Sequence, residues 1–295
     1  MMSERLSWEK DGGDWPNRSH SRFVAAAGFT WHVQIMGAGP VLLLAHGLGA
    51  STHSWRTFAP LLSEHFTVVG FDLPGHGFTD LPKARRISMP AMAEAIGELL
   101  GVLDTVPDYA VGHSAGASAL ARMCLAKVIA PKLLVSLNGA LIPFGGVGRI
   151  FSPLAKLLFG APFDSAPKFF ARIGGDRAAI ARLLRSTGSV IDTEGKELYA
   201  RLYANAGHIE GMLAMMANWN LHALRRDLPG LNTPLVLVAG GKDRTVPEEE
   251  AFRVRDLVAA SKVIRLRHLG HLAHEERPKE VAELVLRLTH AATVS

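Results

Sequence analysis

Six short apolar runs recur along this chain, each ending at a small or polar residue: "VLLLAHG" at Val41, "FTVVGFD" at Phe66, "YAVGHS" at Tyr109, "LLVSLNG" at Leu133, "PLVLVAGG" at Pro234 and "VIRLRHLG" at Val263. Longer helix-like segments separate them. Runs that are apolar throughout must be covered on both faces, which a mostly parallel sheet flanked by helices provides. Such a sheet carries its functional loops at the C-terminal ends of its strands. Before the first run, "SRFVAAA", a turn at Gly28 and "TWHVQIM" read as a hairpin ended by "GAGP", which brings the expected strands to eight. The alternation stops between Ala140 and about Arg226, where "SPLAKLLFG", "DRAAIARLLRS" and "GMLAMMANWNL" follow one another without a strand. The expected organisation is therefore an α/β core over 1–140 and 227–295, with a helical cap over 141–226 inserted after the sixth strand and an N-terminal extension over 1–20.

At 295 residues, with 48% hydrophobic and 20% charged side chains, the chain can bury one large core. Cys124 is its single cysteine, so no intrachain disulfide forms and a reducing compartment is expected. The N-terminus "MMSERLSWEKDGGDWPNRSH" lacks the apolar centre of a secretory signal. The uncharged stretch from Leu133 to Gly148 contains Pro143 and several glycines and makes a poor membrane-spanning helix. These features predict a cytoplasmic protein that can touch a membrane peripherally without crossing it. The formal charge of +5 is spread among acids and forms no dense basic run, which argues against nucleic acid. Ten Lys and Arg face six Asp and Glu between Leu141 and Arg225, so most of the excess falls in the expected cap.

The chemistry concentrates at strand ends. "GHSAG" ends the run at Tyr109 and opens the helix-like "ASALARMCLAKVI", the strand, turn and helix that a nucleophile elbow requires. Gly112 and Gly116 leave room for the sharp turn, and Ser114 projects from the top of the sheet. A serine hydroxyl attacks only when a base takes its proton. In "LRHLGHLAHEERP", His271 follows Gly270 in the loop after the last strand and can swing toward Ser114. His268 is expected within the strand as a packed or surface residue. His274 is expected to make a local hydrogen bond or to line the cavity, and His113 to be buried and hydrogen-bonded. Metal ligation by the three-spaced histidines is disfavoured, because Gly270 breaks a helix through them and no cysteine or carboxylate completes a set.

The base needs an acid to fix its tautomer. "VLVAGGKDRTVP" presents Asp243 after a strand, 28 residues before His271, giving the chain order Ser, Asp, His. Asp72 precedes the nucleophile and reads as a turn-holding residue, while Asn138, at the alternative position for the acid, cannot ionise. The oxyanion that develops on attack needs preorganised donors, assigned to the backbone N–H groups of Ala115 and of Leu48 in "HGLGAS". His46 reads as a loop-locking side chain. The glycine loop lacks a Walker lysine and a G-x-G-x-x-G, so phosphate binding is not expected. No metal or organic cofactor is required.

"HGLG", "DLPGHGFTD", "GHSAG", "GGKDRTVP" and "GHLAHEERP" occur in the order of the α/β-hydrolase superfamily, which the chain resembles over roughly residues 22 to 290. The resemblance implies the α/β-hydrolase fold and, with serine at the nucleophile position, acyl transfer on an ester-like carbon. "DWPNRSHSRFV", "WHVQIMGAGP", "HGLGASTHSWR" and "LNGALIPF" further resemble the BchO group, the magnesium-chelatase accessory hydrolases of bacteriochlorophyll biosynthesis. That likeness implies a photosynthetic, tetrapyrrole-related setting, with magnesium-chelatase subunits as partners and a small apolar or tetrapyrrole-like ester as substrate. In that setting Phe144, Phe151, Phe159, Phe163, Phe169, Phe170, Met212, Met215, Met216 and Trp219, with Arg149, Arg172, Arg177 and Arg182, could wall a pigment pocket, although such residues are more often core and solvated surface. Two functions stay open: a carboxylic ester hydrolase, or a non-catalytic accessory or tetrapyrrole-binding protein that keeps the fold as a scaffold. The presence of all three triad residues favours the enzyme.

Overall fold

The computed structural model describes residues 5–82, 87–143 and 166–294. Among them the eight strands are β1 Ser21–Ala26, β2 Phe29–Met36, β3 Val41–Ala45, β4 Thr67–Phe71, β5 Tyr109–His113, β6 Leu133–Leu137, β7 Leu235–Gly240 and β8 Ser261–Leu266. They form one sheet in the order β1-β2-β4-β3-β5-β6-β7-β8. The hairpin β1–β2 and the β2–β4 pair are antiparallel, and every later pairing is parallel. Ala27 and Gly28 both take positive φ, 54° and 79°, as the two-residue turn of a tight hairpin demands. The edge strand β8 stops at Leu266, so His268 lies beyond it and not within the strand as the sequence suggested.

Alternation along β3 sorts the core into two layers. Leu43 and Ala45 join Val69, Ala110 and Leu134 beneath the helices Met89–Val102 and Ala115–Leu125. Leu42 and Leu44 face the other way, onto Leu62 of Phe58–Ser63 and Val281 and Val285 of the helix Pro278–Val294. Strands β5, β6 and β7 are buried along their whole length, which explains why they read as unbroken apolar runs.

Between β6 and β7 the described residues form the helices Ala166–Gly174, Arg177–Ser186, Thr193–Tyr203, Ala206–Asn218 and Leu221–Asp227. The last four each begin on an Asp or Asn whose side chain accepts from the first turn: Asp176 from Ala178, Asp192 from Gly195, Asn205 from His208 and Asn220 from Ala223. Each such cap contributes about 1 kcal/mol to its helix. These helices lean on the loops at the C-terminal strand ends. His208 is fully buried there, accepting from the Gly77 N–H at 3.1 Å and donating to the Gly49 carbonyl at 3.2 Å. The expected cap limit at 226 falls inside the last helix, whose Leu224 packs in the main core.

The N-terminal extension is built into the molecule. Trp15, 2% exposed, packs with Phe78, Leu198 and Leu202. Arg5 donates to the carbonyls of Thr79 and Gly207, and Arg201 holds Asp14 with both terminal nitrogens. Residues 5–20 thus brace the inserted helices against the core.

Candidate active site

Ser114 occupies the one-residue gap between β5 and the helix Ala115–Leu125, at φ 51° and ψ −116°. A non-glycine residue there stores about 1–3 kcal/mol of strain, held by the packing around it. Two glycines make the turn possible. A Cβ on Gly112 would lie 2.5 Å from the backbone of Ala117, and one on Gly116 would strike the carbonyl of Ala45. The Ser114 carbonyl accepts from Ala117 and Ala140, and its N–H donates to Leu137, so the elbow is fixed on both sides while its side chain stays half-buried.

Asp243 and His271 meet. The His271 Nδ1–H donates to Asp243 Oδ2 at 2.7 Å, which leaves Nε2 as the basic nitrogen. The Asp243 side chain is completely buried, and its Oδ1 accepts from the N–H groups of Thr245 and Val246 at 2.7 and 2.9 Å. Its orientation is therefore set by backbone and not by the histidine alone. Among the described residues Ser114 Oγ makes no hydrogen bond to His271, a bond that in hydrolases commonly tightens with substrate in place. The link runs one residue earlier: His113 Nε2 donates to the His271 carbonyl at 3.0 Å.

That same carbonyl accepts from Asn138 Nδ2 at 2.8 Å. Asn138 also donates to the Gly270 carbonyl at 2.9 Å and accepts from the Gly240 N–H at 2.7 Å, from a left-handed φ of 47°. A residue set aside in the sequence because it cannot ionise is thus the knot between the ends of β6 and β7 and the loop of His271. Asparagine tolerates the left-handed region and has both donor and acceptor, the one local signal for this role.

Gly47 abuts the elbow, since a Cβ on it would lie 3.0 Å from Ser114 Cβ. Among the described residues neither the Leu48 nor the Ala115 N–H donates a hydrogen bond, so both remain available. His46 is locked: Nδ1–H donates to the Gly47 carbonyl and Nε2 accepts from Leu73 N–H, both at 2.8 Å. Asp72 is fully buried and holds its turn by accepting from Thr52, Phe78 and His32. Although burial opposes the charge, His32 and these donors hold its carboxyl below the usual carboxylate range. Burial raises the Cys124 thiol to about 11, which removes it as a competing nucleophile.

The three-spaced histidines diverge. His268 is half-exposed and meets Glu280 at 3.0 Å, and among the described residues no three His, Cys, Asp or Glu side chains converge as metal ligands. Of the two roles expected of His274, a local hydrogen bond or a place lining the cavity, the first is not formed among the described residues; its ring is fully buried against Trp55 and His113. Burial, then repulsion from His271 and Arg56, drops it to about 3. A ring whose pKa falls on folding stabilises the fold above pH 6.5 and loses that contribution as the pH drops, about 2 kcal/mol by pH 5. His274→Phe is accordingly expected to gain stability over the wild type as the pH falls from 7.5 to 5 in urea unfolding. A stability difference independent of pH would mean that His274 is not held neutral.

Of the residues that could wall a pigment pocket, Phe144, Arg149, Phe151, Phe159 and Phe163 lie outside the described residues. Met215 belongs to the main core, Met212 reaches Gly49, and Arg172, Arg177 and Arg182 face solvent. Helix periodicity thus sends Phe169 and the arginines to the surface and Met215 into the core.

A buried polar cluster that the sequence did not suggest joins the inserted helices to the base loop. Arg56 Nη1 donates to Glu275 Oε2 at 2.6 Å, Arg56 Nη2 to Asp192 at 2.7 Å, and the Tyr199 hydroxyl to Glu275 at 2.9 Å. Arg56 and Glu275 side chains are 2% and 0% exposed. Burial pushes the Glu275 carboxyl up, against the pull of Arg56, and pushes the Tyr199 hydroxyl well up.

An eight-stranded sheet with a strained serine after β5 and a buried Asp–His pair after β7 and β8 is the architecture of a hydrolase family. The chain belongs to the α/β-hydrolase family, whose profile matches residues 42–284. Its similarity is more particular than the fold: it is 39% identical over 277 residues to the magnesium-chelatase 30 kDa subunit of Rhodobacter capsulatus, covering 92% of this chain and 95% of that protein. Among solved structures, an α/β-hydrolase fold protein from Burkholderia ambifaria superposes with a TM-score of 0.74 at 23% identity, over 91% of this chain and 100% of the other. An esterase from Exiguobacterium antarcticum does so at 0.74 and 18%, over 91% and 98%. No helix among the described residues is long and apolar enough to cross a membrane.

Proposed function

We propose that the protein is a serine hydrolase of carboxylic esters acting in tetrapyrrole metabolism. The observation that carries this reading is the strained elbow at Ser114 beside an imidazole already oriented by a buried carboxylate at 2.7 Å. In this mechanism Ser114 Oγ attacks the carbonyl carbon while His271 Nε2 takes its proton. The tetrahedral oxyanion accepts from the Leu48 and Ala115 N–H groups. The C–O bond breaks as His271 returns the proton to the leaving alcohol, and water then releases the acid by the same route. Asp243 orients His271 and stabilises the imidazolium. Contact with magnesium-chelatase subunits is suggested by the name of the Rhodobacter relative, and the substrate we infer is a small apolar or tetrapyrrole-like ester.

The same name favours a second reading, an accessory protein that binds without catalysing. A serine-directed fluorophosphonate separates the two. The hydrolase reading expects stoichiometric labelling of the wild type that Ser114→Ala abolishes; a wild type left unlabelled under conditions that label a control esterase sinks it.

A further inference from the structure

The described surface exposes eight large apolar side chains, and four of them fall between residues 169 and 190: Phe169 at 62%, Ile173 at 48%, Leu183 at 45% and Val190 at 72%. The stretch 166–190 also carries five cations, Lys168, Arg172, Arg177, Arg182 and Arg185, against one acid, Asp176. Burial shows how they are arranged. Ala166–Gly174 buries Ala171 and turns Lys168, Phe169, Arg172 and Ile173 outward. Arg177–Ser186 buries Ile180 and Leu184 and turns Arg182, Leu183 and Arg185 outward. The two helices pack against each other. Arg177 pairs with Glu197 and Arg182 lies 3.7 Å from Asp176, but Lys168, Arg172 and Arg185 have no acid within 4.0 Å among the described residues.

We propose that the outward faces of these two helices dock on an anionic lipid membrane. Exposed aromatic and aliphatic groups interleaved with exposed Lys and Arg form the mixture that an interfacial helix presents to headgroups: the apolar groups enter the acyl boundary, and the cations stay at the phosphate level. A protein interface would need an apolar centre depleted of charge, and here every apolar side chain on the helices has a cation within two residues. The surface also connects to the candidate site. Ser189 Oγ accepts from the N–H of Leu272, next to His271, at 2.8 Å, and the Val190 N–H reaches Glu276. A substrate dissolved in the bilayer would arrive beside the loop of His271; this delivery rests on the hydrolase reading, whereas the docking itself does not.

Co-sedimentation of the full chain with vesicles tests the docking. The wild type and Ser114→Ala are expected to bind phosphatidylcholine/phosphatidylglycerol vesicles (7:3) alike, to bind pure phosphatidylcholine at least tenfold more weakly, and to release as salt is raised. Arg172→Glu/Arg185→Glu and, separately, Phe169→Ser/Ile173→Ser are each expected to lose at least tenfold in binding, with unchanged circular dichroism and melting. Wild type that stays in the supernatant overturns the proposal, as does wild-type binding in the folded variants. Retention on polyglutamate without vesicle binding overturns it in favour of an acidic protein partner. Loss with the charge variant alone overturns it in favour of simple electrostatic adsorption.

Discussion

Ser114→Ala is expected to lower kcat for short p-nitrophenyl esters by on the order of 10⁴–10⁶, with KM and melting temperature nearly unchanged. Alanine removes the attacking oxygen but leaves the oxyanion donors and substrate binding, which together are expected to retain an acceleration of about 10³–10⁴ over water. Relief of the positive φ is small, because alanine at φ 51° is as strained as serine. Asp243→Asn tests the second half of the arrangement. Asparagine keeps the size of the side chain but can present an N–H to Nδ1, reversing the tautomer that the 2.7 Å bond selects, and a loss of about 10³–10⁴ in kcat is expected. The two together are expected to cost little more than Ser114→Ala alone, since the residues act as a unit. Full additivity in steady-state kinetics would show that Asp243 does not work through Ser114.

Arg56→Ala is expected to destabilise the protein by about 3–5 kcal/mol, because it strands the fully buried carboxylate of Glu275 without its cation. With an unfolding entropy of about 2.1 cal/mol/K per residue, that corresponds to a fall in Tm of about 5–8 °C. Asp192, half-exposed, turns to water and adds little. Arg56→Met/Glu275→Leu removes both charges and is expected to recover most of the loss, leaving the Tyr199 hydroxyl as the remaining unpaired group. Thermal and urea unfolding at pH 7.5 read both variants. A loss below about 1 kcal/mol for Arg56→Ala would mean that the cluster opens to water and does not hold the inserted helices to the base loop.

Much of the framework was legible before any coordinates. The unbroken apolar runs predicted the parallel strands because β5, β6 and β7 are buried on both faces, and a fully buried strand has no polar side to write into the sequence. The elbow was legible because its geometry admits few residues: Gly112 and Gly116 sit where any Cβ collides. Asp243 and His271 were legible from their places after strands. His268 was misread as a strand residue because β8, an edge strand, mixes apolar and charged residues and the mixture continues through Arg267, giving no clear terminus.

Composition and spacing thus determined the strands, the order of the three candidate residues and the helical character of the insertion, since each is written in the local pattern of the residues. Tertiary structure alone decided what depends on meetings across it. Asn138 ties together loops more than 100 residues apart, His113 braces the carbonyl of His271, and Arg56 meets Glu275 across 219 residues. None of these leaves a periodic trace, because a hydrogen bond between distant loops constrains two side chains and the path of the backbone, but not the pattern of the residues around them.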